Sequence, residues 1–164
     1  MRTRSLGFLL NVKFEFLRKI YYFYNVYIRN LKFLKKSSQW DEDKFLRKYF
    51  KNYRKGKYLD LGCYHPVRDN NTYQLYKKNW NGINLDLNPL TIELFNFSRP
   101  RDINLNIALS RKSGKKNFYY FGEFSPLNTL DKNHLKFLKK NFNVKRNQYK
   151  IKRIKTEKIN SILN

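Results

Sequence analysis

The residues of this chain that could do chemistry follow a short apolar run, Tyr58-Leu-Asp-Leu-Gly-Cys-Tyr-His-Pro66. The run predicts a strand that stops at Asp60 and Gly62 and opens into a turn. Glycine at the end of a strand lets the backbone turn tightly and approach a ligand closely, as in nucleotide-type cofactor sites. The fingerprint of three glycines that marks dinucleotide sites is absent. The residues that flank the turn must therefore identify its ligand.

The elements around this turn alternate between helices and strands. A helix predicted over 41–54 takes Asp41 as its N-cap and leads into the strand. Beyond the turn, apolar periodicity predicts a helix, a strand, a helix and a strand, over 72–78, 82–87, 88–97 and 102–109. Strands joined by such short helical crossovers form a parallel sheet. The remaining elements are a strand over 116–121, a basic helix over 131–141 and a strand over 149–159.

Ligands of an open parallel sheet lie beyond the carboxyl ends of its strands. Asp86 ends the second predicted strand, where a carboxylate can accept both ribose hydroxyls of an adenosine group. Asp60 can accept hydrogen bonds from the turn or from a cationic group of the ligand. Asn106, or the backbone beside it, can meet the adenine edge. These positions together predict an adenosine-type cofactor at one edge of the sheet.

Charge is the most unusual property of the composition. The formal net charge is +24 over 164 residues, and aromatic residues make up 18%. Such a charge predicts a polyanionic partner, either nucleic acid or an anionic membrane surface. Codon drift in an AT-rich genome is the competing explanation, because Lys, Asn, Ile, Phe and Tyr are abundant together. Cys63 is the only cysteine, so we expect no disulfide framework and a reducing, cytoplasmic location.

Residues 1–37 are predicted to form a basic, aromatic-rich helical arm, and residues 38–164 a single domain. Apolar side chains recur through the arm at roughly helical spacing among basic residues. One interpretation is an arm that lies on an anionic membrane surface, and the other is a helix that packs on its own domain. The apolar run 6–10 is too short for a membrane span.

Several motifs follow one another in residues 38–164. They are Ser38-Gln39 with Asp43, the turn 58–66, Asn71-Thr72, Trp80-Asn-Gly-Ile-Asn-Leu-Asp86 with Asn88-Pro89, and Arg101-Asp-Ile-Asn-Leu-Asn-Ile-Ala-Leu-Ser110. Together they resemble the FkbM family of S-adenosylmethionine-dependent methyltransferases. Several motifs in the order and spacing of the family are much more specific than any one of them. The resemblance implies an α/β, Rossmann-like methyltransferase fold and methyl transfer to an oxygen of a sugar, a glycolipid or another metabolite.

The resemblance also implies which residues bind S-adenosylmethionine. Asp86 would contact the ribose, and the strand end near Asn106 would lie by the adenine. Thr72 would start the helix after the turn, where its hydroxyl either caps the helix or contacts the cofactor carboxylate. Together with the small residue beside the turn, the predicted cofactor-binding residues are Asp60, Gly62, Cys63, Thr72, Asp86, Asn106 and Ala108.

The chain departs from the family pattern near its C-terminal end. Members of the family continue into a fourth strand, which carries an acidic pair and a glycine and pairs beside the first strand. This sequence ends before that strand. We therefore expect a truncated domain with an incomplete parallel sheet, an open edge on the first strand and impaired activity. The strand over 149–159, the arm and self-association with a second copy are the candidates for covering that edge.

The methyl acceptor must be positioned, and often a base removes its proton. His65 follows the turn and is the candidate base, and the alternative is a histidine that the hydrogen bonds of the turn hold in place. No cluster has the spacing of metal ligands, so no metal is predicted. Asp102 starts its strand, at the opposite end of the sheet, and we interpret it as structural, with Arg99 or Arg101 as its partner.

Two functions stay open from the sequence. The first is an S-adenosylmethionine-dependent O-methyltransferase with a small-molecule or glycan acceptor, which contacts membranes peripherally through residues 1–37. The second is a non-catalytic basic module that binds nucleic acid or an anionic membrane with steep salt dependence. Nucleic acid is not the expected partner, because the sequence lacks the aromatic strand motif of RNA-recognition domains.

Overall fold

The structure, a computed structural model, describes residues 15–122 and 125–163. They divide into two compact units, an N-terminal unit that ends at Asn106 and a C-terminal unit that starts at Ile107. The predictions for residues 1–14 of the arm lie outside the described residues. No helix in the described part of the chain is both long and apolar enough to cross a membrane.

The N-terminal unit begins with the segment that was predicted as an arm. Helix α1 spans Glu15–Phe23, and a π-helical turn over Tyr24–Ile28 and a 3₁₀ turn over Leu31–Leu34 follow it. Tyr22 is buried, and its ring centroid lies 5.8 Å from that of Phe97. One face of this segment therefore packs on its own unit, as the second interpretation of the arm expected.

Helix α2 is shorter than the sequence predicts. It spans Glu42–Tyr49 rather than 41–54. Asp41 precedes it with a left-handed backbone, φ 66°, and its side chain makes no capping hydrogen bond. The prediction that Asp41 is the N-cap is wrong, because an N-cap residue has extended backbone. The Asp41 carboxylate instead forms an ion pair with Lys36, at 2.7 Å between Oδ1 and Nζ.

A three-stranded parallel sheet organises the rest of the N-terminal unit. Strands β1 (Lys57–Leu61), β2 (Asn81–Asp86) and β3 (Ile103–Asn106) lie in the order β1-β2-β3. The α/β class and the parallel crossovers that the sequence predicted are confirmed. The third strand is shorter than its predicted range of 102–109.

Two helices connect these strands. Helix α3 spans Tyr73–Lys77 between β1 and β2, and helix α4 spans Pro89–Ser98 between β2 and β3. The Asn88 side chain caps α4 by accepting a hydrogen bond from the Leu90 N–H at 3.0 Å. Proline suits the first turn that follows such a cap. Burial of the apolar side chains of α4 forms the core beside the sheet, with Leu90, Ile92, Leu94 and Phe95 all buried.

The C-terminal unit contains an antiparallel pair of strands. Strand β4 (Gly114–Tyr120) pairs with β5 (Lys150–Thr156), and the chain between them includes helix α5 (Lys132–Phe142). A short helix, α6, spans Asn160–Leu163. Strand β5 was a candidate for covering the edge of β1, and this expectation is wrong, because β5 pairs with β4 in a separate two-stranded sheet.

Candidate functional site

The turn after β1 is built from left-handed backbone. Gly62 has φ 73° and Tyr64 has φ 56°. The N–H groups of Gly62 and Cys63 both donate to the Leu85 carbonyl, at 2.8 and 3.1 Å, and so tie the turn to β2. A Cβ atom on Gly62 would meet nothing within 4 Å. Glycine is therefore needed here for its backbone conformation, and the space in front of it is open to a ligand.

Asp86 ends β2 beside this turn. Its Oδ2 accepts a hydrogen bond from the Tyr64 N–H at 2.9 Å, and its Oδ1 accepts one from the Asn88 N–H at 2.7 Å. Burial raises the pKa of this carboxyl group, and the backbone hydrogen bonds oppose that shift. A carboxylate has about four lone-pair positions, so Asp86 retains acceptor capacity for hydroxyl groups of a ligand.

Asn106 lies next to Asp86 at the same edge of the sheet. The two residues are paired in register, and the Asn106 side-chain amide donates to the Asp86 carbonyl at 2.9 Å. The structure thus brings together the turn, Asp86 and Asn106. Ala108 belongs to the C-terminal unit, where its carbonyl accepts a hydrogen bond from the Glu157 N–H at 2.9 Å. The role of Ala108 near the adenine stays a prediction.

Asp60 is oriented by two polar side chains from the loop after the turn. The Thr72 hydroxyl donates to Asp60 Oδ2 at 2.8 Å, and the Asn70 side-chain amide donates to the same oxygen at 3.1 Å. Within the described residues, the hydrogen bonds of this carboxylate all go to Oδ2. Oδ1 therefore keeps acceptor capacity for a cationic group of a ligand.

Thr72 stands directly before α3, but its side chain does not cap the helix. Its hydroxyl accepts a hydrogen bond from Arg99 Nη1 at 2.8 Å while it donates to Asp60. The capping interpretation is therefore wrong. Hydrogen bonds with an ionised partner are stronger than those with a neutral amide, so the guanidinium and the carboxylate hold the hydroxyl instead.

Arg99 holds the loop after the Gly62 turn in place through hydrogen bonds. This role was not predicted from the sequence. The residue is 1% exposed. Its guanidinium donates to Thr72 Oγ1, to Asn70 Oδ1 at 2.6 Å and to the Pro66 carbonyl. Both residues that orient Asp60 therefore contact the same buried cation. The only signal in the sequence was an arginine directly after an apolar helix.

Asp102 lies at the opposite end of the sheet and is structural, as predicted. Its carboxylate accepts a hydrogen bond from the Tyr58 hydroxyl at 2.6 Å and one from the Asn84 side-chain amide at 2.9 Å. The prediction that Arg99 or Arg101 is the partner of Asp102 is wrong. Arg99 donates to the loop after the turn, and Arg101 donates to a carbonyl of α3.

His65 follows the turn and is 4% exposed. Its Nδ1 accepts hydrogen bonds from the Val67 and Arg68 N–H groups, at 3.1 and 3.0 Å, and its Nε2 lies 3.3 Å from Asn30 Nδ2. Burial, with the nearby charge of Arg68, lowers the pKa of His65 to about 3. A buried, neutral ring that holds the turn is the alternative that the sequence left open, and the role of a base stays a prediction.

We expect His65 to make folding sensitive to mild acid. An ordinary histidine has a pKa of about 6.5, so over the interval down to about 3 the unfolded chain binds a proton that the folded chain does not. The stability from the neutral ring is therefore complete above about pH 6.5 and is lost as the pH falls toward 3. Between about pH 7 and pH 5 the free energy of unfolding should fall by about 2 kcal/mol from this group.

Urea unfolding at a series of pH values measures this dependence. His65→Asn removes the titrating ring, so the variant should lose this part of the decline below pH 6.5 while keeping the part that carboxyl groups contribute. A variant whose stability falls with pH as steeply as that of the wild-type chain would contradict the assignment.

Cys63 is a buried, apolar neighbour of the turn. It packs with Ile92 and Phe95. Burial, with the nearby carboxylates of Asp86 and Asp60, raises the pKa of its thiol, which therefore stays protonated. In the part of the chain that the structure describes, no group of three or more histidine, cysteine or carboxylate side chains is arranged to hold a metal ion.

The loop before α2 contacts the loop that carries Asn70. Asp43, buried on α2, accepts hydrogen bonds from the Ser38 hydroxyl and from the Ser37 N–H. The Ser37 carbonyl in turn accepts a hydrogen bond from the Asn70 N–H at 2.7 Å. Ser38 and Asp43 belong to the motifs that resemble the family. Their contacts hold in place the loop that carries Asn70, and the Asn70 side chain orients Asp60.

The fold and the site together define a class of protein. A parallel sheet whose second strand ends in a carboxylate, beside a glycine turn after the first strand, is typical of Rossmann-like nucleotide-cofactor folds. The family model for the methyltransferase FkbM domain matches residues 60–164. The chain belongs to this family and is a methyltransferase. No curated protein and no solved structure matches the chain.

Proposed function

We propose that this methyltransferase takes its methyl group from S-adenosylmethionine and transfers it to a hydroxyl oxygen. The observation that carries the proposal is the Asp86 carboxylate at the carboxyl end of β2, next to the Gly62 turn. Backbone amides hold this carboxylate, and its remaining lone pairs suit the ribose hydroxyls of an adenosine group. The bound cofactor would supply a methyl group on a sulfonium, which is an activated electrophile.

The other residues of the site suit the remaining parts of the cofactor. The open space at Gly62 allows close approach to the backbone. Asp60 Oδ1 suits the amino group of the methionine part, and Asn106 at the end of β3 suits the adenine. Thr72 acts through Asp60, since its hydroxyl donates to that carboxylate.

For the acceptor we propose a hydroxyl group of a sugar, a glycolipid or another metabolite, as the family resemblance implies. The reaction requires that this oxygen be positioned for in-line attack on the methyl group. His65 is better suited to positioning the turn than to removing the proton, because Nδ1 already accepts backbone hydrogen bonds and its pKa is about 3. We also propose a cytoplasmic location, because Cys63 is the only cysteine of the sequence and no disulfide can form within the chain.

Isothermal titration of the purified chain with S-adenosylmethionine tests the proposal. The wild-type chain should give a saturable heat. Asp86→Asn keeps the size of the side chain but removes its charge and half of its acceptor capacity. The Kd of the variant should rise about 10- to 100-fold, since hydrogen bonds to a charged group contribute roughly 1.5–3 kcal/mol each.

Asp41→Asn is the matched control for this titration. Asp41 is exposed, lies outside the site and has left-handed backbone, which asparagine tolerates. The control should bind S-adenosylmethionine with the Kd of the wild-type chain, and thermal unfolding should verify that both variants are folded. No saturable heat with the folded wild-type chain, or an unchanged Kd in Asp86→Asn, would refute the proposed site.

A further inference from the structure

The outward face of the N-terminal helical segment is apolar. Between residues 16 and 31, seven large apolar or aromatic side chains are 46–72% exposed, and we call them the outer stripe: Phe16, Leu17, Ile20, Phe23, Tyr24, Ile28 and Leu31. They recur at the spacing that places side chains on one side of a helix. Single exposed apolar residues are ordinary on protein surfaces, but seven on one side of a helical segment indicate a binding surface.

The inner face of the same segment is anchored to the N-terminal unit. Val26 is fully buried, and the buried Asn30 side chain lies 3.3 Å from His65 Nε2. The Gln74 side-chain amide donates to the Leu34 carbonyl at 3.2 Å and so holds the 3₁₀ turn. Because the inner face is packed against the unit, the outer stripe stays on the surface.

The charge around the outer stripe indicates the kind of partner. Glu15 is the only acidic residue in 15–36, and it pairs with Lys19 at 2.8 Å. The same stretch carries six basic residues, Arg18, Lys19, Arg29, Lys32, Lys35 and Lys36. Lys36 pairs with Asp41, so four of the six have no ion pair among the described residues. An apolar face flanked by lysine and arginine is the pattern of helices that lie in the interface of anionic membranes. Aliphatic Ile20 and Leu31 suit acyl chains, whereas nucleic acid is bound by stacking on aromatic rings.

We propose that the outer stripe docks on an anionic phospholipid membrane. The apolar side chains enter the boundary between headgroups and acyl chains, and the lysines and arginines contact the headgroups. The segment is joined to the residues that follow the Gly62 turn through Asn30 and His65. Docking therefore brings the site toward acceptors that lipids carry. This consequence rests on the proposed function, but the proposal that the outer stripe binds a membrane does not.

Co-sedimentation of the full chain with phospholipid vesicles, without S-adenosylmethionine, tests the proposal. The wild-type chain should partition onto phosphatidylcholine vesicles that contain phosphatidylglycerol at least about tenfold more than onto pure phosphatidylcholine, and less as salt rises. The double variant Phe16→Gln with Ile20→Gln removes two exposed side chains of the outer stripe. Its partition coefficient should be at least about tenfold lower than that of the wild-type chain.

The matched control is Phe137→Gln with Phe142→Gln on α5, where the side chains are 52% and 66% exposed. It should bind vesicles like the wild-type chain. Absence of vesicle binding, equal binding to neutral and anionic vesicles, or unchanged binding of the outer-stripe variant would each overturn the proposal. A wild-type dimer in size-exclusion chromatography that the outer-stripe variant dissociates would also overturn it and assign the stripe to a second copy.

Discussion

Replacing Arg99 with methionine should lower the free energy of unfolding by about 3–5 kcal/mol. The guanidinium is buried and donates to Thr72 Oγ1, Asn70 Oδ1 and the Pro66 carbonyl. Methionine has a similar length but no donor, so all three hydrogen bonds of the guanidinium would be lost. The buried Pro66 carbonyl would lose its donor, while Thr72 Oγ1 would keep its bond to Asp60 and Asn70 Oδ1 its bonds from Thr72. The Phe95 ring, whose centroid lies 4.8 Å from the guanidinium carbon, would also lose its contact with a cation.

Arg101→Met is the matched control, since it makes the same change two residues further along the chain. Arg101 is exposed, and its guanidinium donates to the Tyr76 carbonyl at 2.7 Å. Its loss should cost less than about 1 kcal/mol. Urea unfolding followed by circular dichroism measures both variants. Equal stability of Arg99→Met and Arg101→Met would show that the buried hydrogen bonds contribute little.

Arg99→Met should also weaken binding of S-adenosylmethionine under conditions in which the variant is folded. The guanidinium contacts both Thr72 and Asn70, which orient the Asp60 carboxylate. Arg99 itself is buried behind the loop, so it acts as a positioning residue. Titration with S-adenosylmethionine separates this effect from the loss of stability.

Replacing Gly82 with alanine should separate β1 from β2 and lower the free energy of unfolding by about 3 kcal/mol. A Cβ atom at this position would lie 2.1 Å from the Tyr58 carbonyl oxygen and 2.4 Å from the Tyr58 ring, and real Cβ atoms do not approach within 3.0 Å. The ring cannot move away freely, because its hydroxyl donates to Asp102 at 2.6 Å. Gly82 is therefore required for the close approach of the two strands.

Asn81→Ala, the neighbouring position of β2, is the control for this effect. Its side chain makes one long hydrogen bond, at 3.4 Å, to the Arg101 carbonyl. We expect its unfolding free energy to lie within about 1 kcal/mol of the wild-type value. Thermal unfolding of both variants gives the comparison, and a midpoint of Gly82→Ala equal to that of Asn81→Ala would mean that the strands adjust without cost.

The strands and helices around the site could be predicted because their signals are local. The apolar run before Gly62 and the apolar run before Asp86 each form a strand within a residue or two of the predicted range. Asn88 and Pro89 start α4, since a cap and a proline act within one helical turn. Parallel pairing then follows from the short helical crossovers.

Two predictions were wrong because a tertiary contact, rather than the local residue pattern, determined the outcome. Asp41 is an ordinary N-cap residue, but Lys36 takes its carboxylate and the backbone is left-handed. The strand 149–159 has no local signal for its partner, and its hydrogen bonds go to β4. Local residue patterns do not determine which carboxylate meets which cation, or which strand meets which edge.

The positions of Asp60, Gly62 and Asp86 at the ends of two adjacent parallel strands follow from the sequence alone. Strand ends and turn residues are local properties, and the topology of the sheet brings them to one edge. Two features depend on the three-dimensional fold: Arg99 donates to the loop that orients Asp60 rather than to Asp102, and His65 is buried and neutral. Burial and hydrogen-bond partners depend on residues that are far apart in the chain, such as Asn30 beside His65.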